Sequence, residues 1–170
     1  MKNKVKQTKL NRWVILEKKT FFLNGKKKVW YNFKTHDYLS IFVLRDDKKI
    51  AIIRQFRPSI NRYTWEFPAG LKDSKKKIKV IAKKEVEEET GHKVKSIKKL
   101  KTLYSDTGRI NNKVHFFFAK CSKKKYLKVE KGIQVKFVSK EKLEKMILMS
   151  NFNYNLHVSL YMYIKLKKMI

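Results

Sequence analysis

The chain is short of negative charge, of arginine, of cysteine and of long apolar runs, and each shortage narrows its function. Only 14 of 170 residues are acidic against 44 basic ones, a formal net charge of +30. Such an excess usually points to nucleic acid. Yet 38 of the basic residues are lysine and six are arginine, the residue that reads phosphates and base edges best. Abundant Phe, Tyr, Ile and Asn complete the profile of a genome poor in G and C, so the charge is read mainly as a compositional by-product. A polyanion-binding surface is the alternative. The Lys triplets at 26–28, 75–77 and 123–125 sit between apolar segments and read as solvated loop tips.

No stretch is apolar over the 18 or more residues that a membrane helix needs. The opening MKNKVKQTKLNRW is basic but has neither the apolar core of a signal peptide nor an organelle-transit composition. Cys121 is the single cysteine, which excludes an internal disulfide, and no Cys/His cluster suggests structural zinc. The expectation is a soluble, cytoplasmic protein with no membrane partner. Its 170 residues suit one domain, without repeat or linker.

The periodicity predicts strands at 14–16 and 29–33 around an Asn24-Gly25 hairpin turn, then at 38–44, 50–53 and 63–67. Gly70 is expected to open a loop, followed by a helix at 78–90 closed by Gly91. Strands at 94–104 and 114–119 flank a loop at 105–112, and another strand falls at 133–138. Ser139 is a suitable N-cap for a helix at 140–149, and a final helix covers 155–167. Strands and helices mix without βαβ alternation, which predicts an α+β layered fold.

Against the scarcity of acid, one place is rich in it. Glu85, Glu87, Glu88 and Glu89 fall in the stretch EFPAGLKDSKKKIKVIAKKEVEEETGHK. At 100° per residue Glu85, Glu88 and Glu89 lie within about 100° of one another, and Glu87 points to the other flank. Carboxylates so placed repel one another unless a cation joins them. Mg²⁺ or Mn²⁺ would suit, because both prefer oxygen ligands. A carbonyl at Gly70 would add another oxygen. The alternative is a solvated helix face, neutralised by the i, i+4 pairs Lys83–Glu87, Lys84–Glu88 and Glu89–Lys93.

This stretch resembles the Nudix box. Gly70, Glu85, Val86, Glu88, Glu89 and Gly91 fall in its register. Lys76 stands where the pattern has Glu, and Lys84 where it has Arg. Two lysines cannot make the supporting ion pair found in the family. The flanks extend the likeness to the ADP-ribose and ADP-sugar pyrophosphatases of that family. RWVILEKKTFFLNGKKKVWYNFK resembles their N-terminal hairpin, IRQFRPSINRYTWEFPAGLKD the lead into the box, and GRINNKVHFFFA their substrate loop and following strand. IQVKFVSKEKL and NLHVSLYMYIKL fit the last strand and two helices. The resemblance covers about residues 12–166. It implies a Nudix fold, a mixed sheet between helices, with a hairpin extension near 12–35 and a core from 36 to 170.

The resemblance also implies roles. Gly70, Glu85, Glu88 and Glu89 would hold Mg²⁺, with Glu85 and Glu89 counted as catalytic. Arg57 would lie near the substrate diphosphate, where a guanidinium fork suits phosphate oxygens. Trp13 and Trp30 would stack on the adenine, one from each subunit of a homodimer; their plainer role is packing. In the loop, Thr107 and Asn112 depart from the family's Pro and Glu, and Gly108 is retained. Asp106 would reach a sugar hydroxyl or, equally, stabilise the turn. His115 reads as a satisfied core histidine. The family's water-activating Glu falls on Gly132, which leaves Glu130, the only carboxylate in its loop, as the catalytic base if the loop shifts register; the alternative is a helix glutamate or the metal alone. Glu66 reads as strand-end packing. The implied reaction is metal-dependent hydrolysis of ADP-ribose or a related nucleotide sugar. The competing reading is a catalytically weakened Nudix fold that binds RNA or nucleotides through its basic surface.

Overall fold

The computed structural model describes residues 4–170. An N-terminal sheet is built from β1 (Lys4–Lys9), β2 (Val14–Leu23) and β3 (Lys26–Thr35), in antiparallel succession. Asn24 and Gly25, at φ 52° and 73°, make the two-residue turn with the hand that twisted strands require. Sequence reading expected only a hairpin. The lysine-rich alternation of KVKQTK gave no apolar signal for β1, every residue of which is exposed.

The larger sheet holds β4 (Tyr38–Arg45), β5 (Ile50–Arg57), β6 (Arg62–Glu66), β7 (Ala69–Leu71), β8 (His92–Tyr104), β10 (Lys113–Lys125) and β11 (Gln134–Val138). Its main order is β11-β5-β4-β10-β8. β4 and β10 are parallel and the other pairings antiparallel, so the sheet is mixed. Between β8 and β10 in sequence, β9 (Ile110–Asn111) runs parallel to β3 and ties the expected 105–112 loop to the N-terminal sheet. Gly70 lies inside β7, not at the start of a loop. The Lys triplets are exposed, but those at 26–28 and 123–125 are strand residues rather than loop tips.

Helices α1 (Ile78–Thr90), α2 (Lys140–Leu148) and α3 (Asn155–Leu166) cover the sheet, which makes the fold α+β. Side chains alternate along a strand, and β4 uses both faces. Leu39, Ile41 and Val43 pack with Ile81, Ala82 and Val86 of α1. Phe42, from the opposite face, packs with Leu143 of α2 and Leu160 and Ile164 of α3. Ser139 caps α2 by accepting from the Lys142 amide at 3.2 Å. Among the described residues no helix is long and apolar enough to cross a membrane.

The sheet splits where the candidate site lies. β4 and β5 share only the Leu44–Ile50 register pair and then diverge. β6 pairs with β5, β7 pairs with β4, and the connection through Phe67 and Pro68 fills the wedge. There the Pro68 carbonyl accepts from the Ile41 amide at 2.9 Å.

The N-terminal sheet contains a buried acid that sequence reading did not single out. Glu17 accepts from Gln7 at 2.8 Å, Asn32 at 2.9 Å and Asn111 at 3.3 Å, one partner from each of three other strands. Burial would raise its pKa; these donors and Lys19 outweigh burial and hold it at about 2.

Candidate active site

Residues 66–70 are held from two directions. The Phe67 amide donates to His157 Nδ1 at 2.7 Å, and the Ala69 amide donates to Glu89 Oε2 at 2.9 Å. Gly70 then passes directly under Glu85. A Cβ built there would stand 2.6 Å from Glu85 Cδ and 2.8 Å from its Oε1, so only glycine permits the approach.

The helix glutamates have unequal surroundings. Glu89 is 5% exposed. Burial pushes its pKa well up, the Ala69 amide offsets part of this, and the charges of Glu85 and Glu130 add to the rise. Glu85 is pushed up to about 7, chiefly by burial, with Glu88, Glu130 and Asp73 opposing its ionisation and Lys84 favouring it. Glu88 is half exposed and held by Lys84 at 2.8 Å. Glu87 lies on the far flank, as expected, and accepts from the Val94 amide at 3.1 Å. Among the described residues no three carboxylate, imidazole or thiol groups converge as a cation cage. The expected set Gly70, Glu85, Glu88 and Glu89 is therefore only partly assembled: Glu85 meets Gly70, Glu89 sits beside them, and Lys84 occupies Glu88.

Glu130 reaches this cluster through its backbone. The loop after β10 lies over the end of α1. Tyr126 and Leu127 amides donate to the Gly91 carbonyl, and the Glu130 amide donates to that of Glu88 at 3.0 Å. Gly132 has φ 90°, where a side chain is strained. Lys76 is exposed in the loop before α1.

Arg57 stands at the end of β5. Its Nε donates to Glu66 Oε1 at 2.8 Å and its Nη2 donates to Oε2. Glu66, 1% exposed, also accepts from Thr64. These bonds and the Arg57 charge lower the Glu66 pKa against the effect of burial. Glu66 is thus the fixed partner that orients Arg57, beyond the packing role expected of it. The pair borders a cleft of about 480 Å³ with Tyr38, Ser59, Asn153 and Tyr154. The Arg57 charge also favours ionised Glu89, which places the cleft and the glutamates in one electrostatic neighbourhood.

Trp30, Asp106 and Gly108 come together. Trp30 Nε1 donates to the Gly108 carbonyl at 2.8 Å, yet the tryptophan remains 50% exposed. Asp106 Oδ1 accepts from the Gly108 and Arg109 amides at 2.6 and 2.9 Å, which is the turn-stabilising arrangement. A cleft of about 380 Å³ opens beside them. Trp13 is elsewhere, edge-on to His36 with ring centroids 5.6 Å apart and Arg12 over its face. Trp30 pairs with Lys19 and Trp13 precedes Val14, so the two tryptophans are about 20 Å apart along the hairpin. One chain does not bring them together. His115 is buried between Asp37 and Thr102, with both ring nitrogens partnered at 3.1 Å.

Sequence reading missed Asp73 and the group that the buried His157 forms with the partly exposed Tyr38 and Tyr154. His157 lies within an apolar helix pattern, and its bond to Tyr38 spans 119 positions of sequence, so no local signal marks it.

The chain is 31% identical over 96 residues to the ADP-ribose pyrophosphatase of Bacillus subtilis, covering 56% of this chain and 52% of that one. It is 32% identical over 120 residues to the ADP-ribose pyrophosphatase of Saccharomyces cerevisiae, with 63% and 52% covered. The ADP-sugar pyrophosphatase of Mus musculus is 28% identical over 116 residues, with 61% and 53% covered. The chain spans about half the length of these curated relatives. A crystal structure of an ADP compounds hydrolase superposes with a TM-score of 0.80 at 17% identity, covering 100% of this chain and 98% of that one, a likeness of fold. Residues 34–156 match the NUDIX domain. With the glutamate helix, its glycine cradle and the split sheet, this match establishes that the chain belongs to the NUDIX domain family.

Proposed function

We propose that the chain is a divalent-metal-dependent hydrolase of ADP-ribose or a related nucleoside diphosphate sugar. Water adds across the diphosphate, one P–O bond breaks, and a nucleoside monophosphate and a sugar phosphate leave. The observation that carries this reading is the pair of carboxylates Glu85 and Glu89, held against Gly70 and the Ala69 amide of one short strand, where burial, nearly complete for Glu89 and partial for Glu85, opposes their ionisation. Such all-oxygen donors fit a hard cation. Mg²⁺ or Mn²⁺ would be held by Glu85, Glu89 and the Gly70 carbonyl, with Glu88 released from Lys84. The ion would supply positive charge where negative charge develops during hydrolysis.

The remaining work falls to side chains of this protein. Arg57, oriented by Glu66, offers its free N–H groups to a phosphate oxygen. Glu130 takes the proton of the attacking water. Trp30 stacks on the base beside the Asp106–Gly108 turn, and Trp13 serves from a second subunit in a homodimer. The relatives named for ADP-ribose and ADP-sugar pyrophosphatase support the substrate class. The test is release of AMP from ADP-ribose in Mg²⁺ or Mn²⁺, with a panel of other nucleotide sugars. Absence of monophosphate release with either ion sinks the reading.

One surface favours RNA binding as a second reading. A cleft lined by Arg54, Arg62, Tyr63, Trp65 and two asparagines carries no carboxylate. If that is the main activity, a polyuridine probe binds with steep salt dependence and without need of a divalent ion.

A further inference from the structure

Arginine is rare in this chain, and its placement is uneven. Three of the six arginines, Arg54, Arg57 and Arg62, fall on β5 and β6. Residues 48–65 contain no acid, and neither do residues 131–140, which include β11. Arg57 is committed to Glu66. Among the described residues Arg54 and Arg62 make no ion pair. The ladder sets Arg54 opposite Trp65, Phe56 opposite Tyr63 and Lys136 opposite Ile52. Side chains alternate, so Arg54, Phe56, Tyr63, Trp65 and Lys136 share one face. On that face Ile50 and Ile52 pack with α2 and α3, whereas Ala51 turns to α1 on the other. Past Ile52 the face is open: Phe56 is 44% and Tyr63 57% exposed. The side chains hold one another. Phe56 meets Tyr63 edge-on at 5.4 Å between centroids, the Arg54 guanidinium lies 4.8 Å over the Tyr63 ring, and the Lys136 ammonium lies 5.0 Å over that of Trp65. Rings and cations are thus interleaved in one array. The cleft beside it, about 610 Å³, is lined by Arg62 and by Ser150, Asn151 and Asn153, neutral groups that both donate and accept. Aromatic rings and guanidinium planes take unpaired bases by stacking, cations take the phosphates, and neutral amides and hydroxyls suit base edges and 2′-hydroxyls. A duplex hides its base faces, so the matching form is a single strand.

We propose that this face of β5, β6 and β11 is a platform for single-stranded RNA, on which Phe56 and Tyr63 stack with bases while Arg54, Arg62 and Lys136 meet the phosphates. The inference rests on the RNA-binding reading given above and deepens it. It also goes beyond it, because the platform lies on the opposite face of the sheet from α1 and its glutamates. RNA binding and hydrolysis then belong to one chain without sharing a site. It accounts for arginine being concentrated here in a chain that elsewhere uses lysine.

A fluorescently labelled decauridylate is titrated into the full chain in EDTA and read by anisotropy. A net charge of +30 attracts any polyanion, so the decisive variant changes no charge. Tyr63→Leu keeps an apolar side chain and removes the ring; the dissociation constant rises about tenfold, as for one lost stack, whereas Tyr63→Phe stays within about twofold. Unchanged binding by Tyr63→Leu overturns the platform, since attraction by net charge alone would not notice the ring. Arg62→Gln, at an exposed position with no ion pair to lose, serves even if Tyr63→Leu fails to fold. It lowers the slope of log K against log salt by about 0.7, and Lys123→Gln, in the exposed triplet on β10, leaves the slope as it is. Equal falls overturn the placement. A decadeoxyuridylate bound as tightly overturns the choice of RNA. Displacement of the probe by excess ADP-ribose overturns the separation of the two faces. A chain that hydrolyses ADP-ribose yet ignores Tyr63→Leu loses the platform alone. One that binds the probe through Tyr63 and hydrolyses nothing loses the hydrolase reading and keeps the platform.

Discussion

The helix glutamates combine two demands that usually conflict: burial and ionisation. Glu89→Gln keeps the acceptor for the Ala69 amide and removes the charge. Turnover of ADP-ribose is expected to fall at least about a hundredfold, as when electrostatic stabilisation is lost. Thermal stability without metal should hold or rise, since a disfavoured charge is gone. Near wild-type turnover would reduce Glu89 to packing. The pH dependence has a definite sign. Glu85 titrates at about 7 in the folded chain against 4.5 in the unfolded one, and Glu89 is raised as well. The folded state thus binds more protons, and stability present below the unfolded pKa is lost as pH rises through the folded one. His92, His115 and His157, all lowered by burial, work in the opposite sense but only below about 6.5. The melting temperature of the metal-free protein should therefore fall from about pH 7 to 8.5. Mg²⁺ should stabilise more at the upper end, and Glu89→Gln should flatten both trends. A wild-type profile as flat as that of the mutant would refute the coupling.

At the level of elements, much was legible and the gaps have physical causes. Helix 78–90 was readable to the residue because Gly91, at φ 73°, ends it as a left-handed cap and the apolar positions 81, 82 and 86 mark one face. Strands β5 and β10 were read too short, since Arg54, Gln55 and Lys120 interrupt the apolar pattern while the ladder continues. β7 was invisible because three residues of Ala, Gly and Leu carry no period. The convergence of the helix glutamates on one face was legible in sequence, whereas the close passage of Gly70 under Glu85 and the pairing of Arg57 with Glu66 needed the structure. The bonds of His157 to Phe67 and Tyr38 and the Glu17 network were not legible, because both join distant segments. Two predictions belong here. Gly70→Ala forces Glu85 away from β7 and should cost about 1–3 kcal/mol of stability, as overpacking does, together with most of the activity. Full activity would mean that the cradle is incidental. Glu130→Gln should lower turnover by about 10²–10⁴, the range for a general base, with little change in Mg²⁺ affinity. A silent mutation would leave water activation to the helix carboxylates or to the bound ion.

At the scale of the whole molecule, the N-terminal sheet stands out. Phe22, Val29, Tyr31 and Phe33, which alternation and register put on one face, all keep two-fifths or more of their surface in solvent. An apolar face of this extent favours a partner, and Trp13 lies too far from Trp30 for one chain to grip a flat base between them. The proposed homodimer answers both points. Light scattering should give twice the 20.5 kDa chain mass. Phe22→Lys with Tyr31→Lys should yield monomers that bind ADP-ribose less tightly. A wild-type monomer with full activity would remove the second subunit from the site.

The two neighbouring bonds at Phe67 and Ala69 have a consequence in time. One amide is fastened by α3 and the other by α1, helices on opposite faces of the sheet. Synthesis proceeds from the N-terminus, so the segment carrying Gly70 and its glutamates leaves the ribosome well before His157. Until α3 docks, the Phe67 amide has no buried acceptor and the strand end is held on one side only. Completion of the proposed site thus waits for α3. A nascent chain halted before residue 157 should leave the Phe67 amide open to solvent exchange, and docking of α3 should close it.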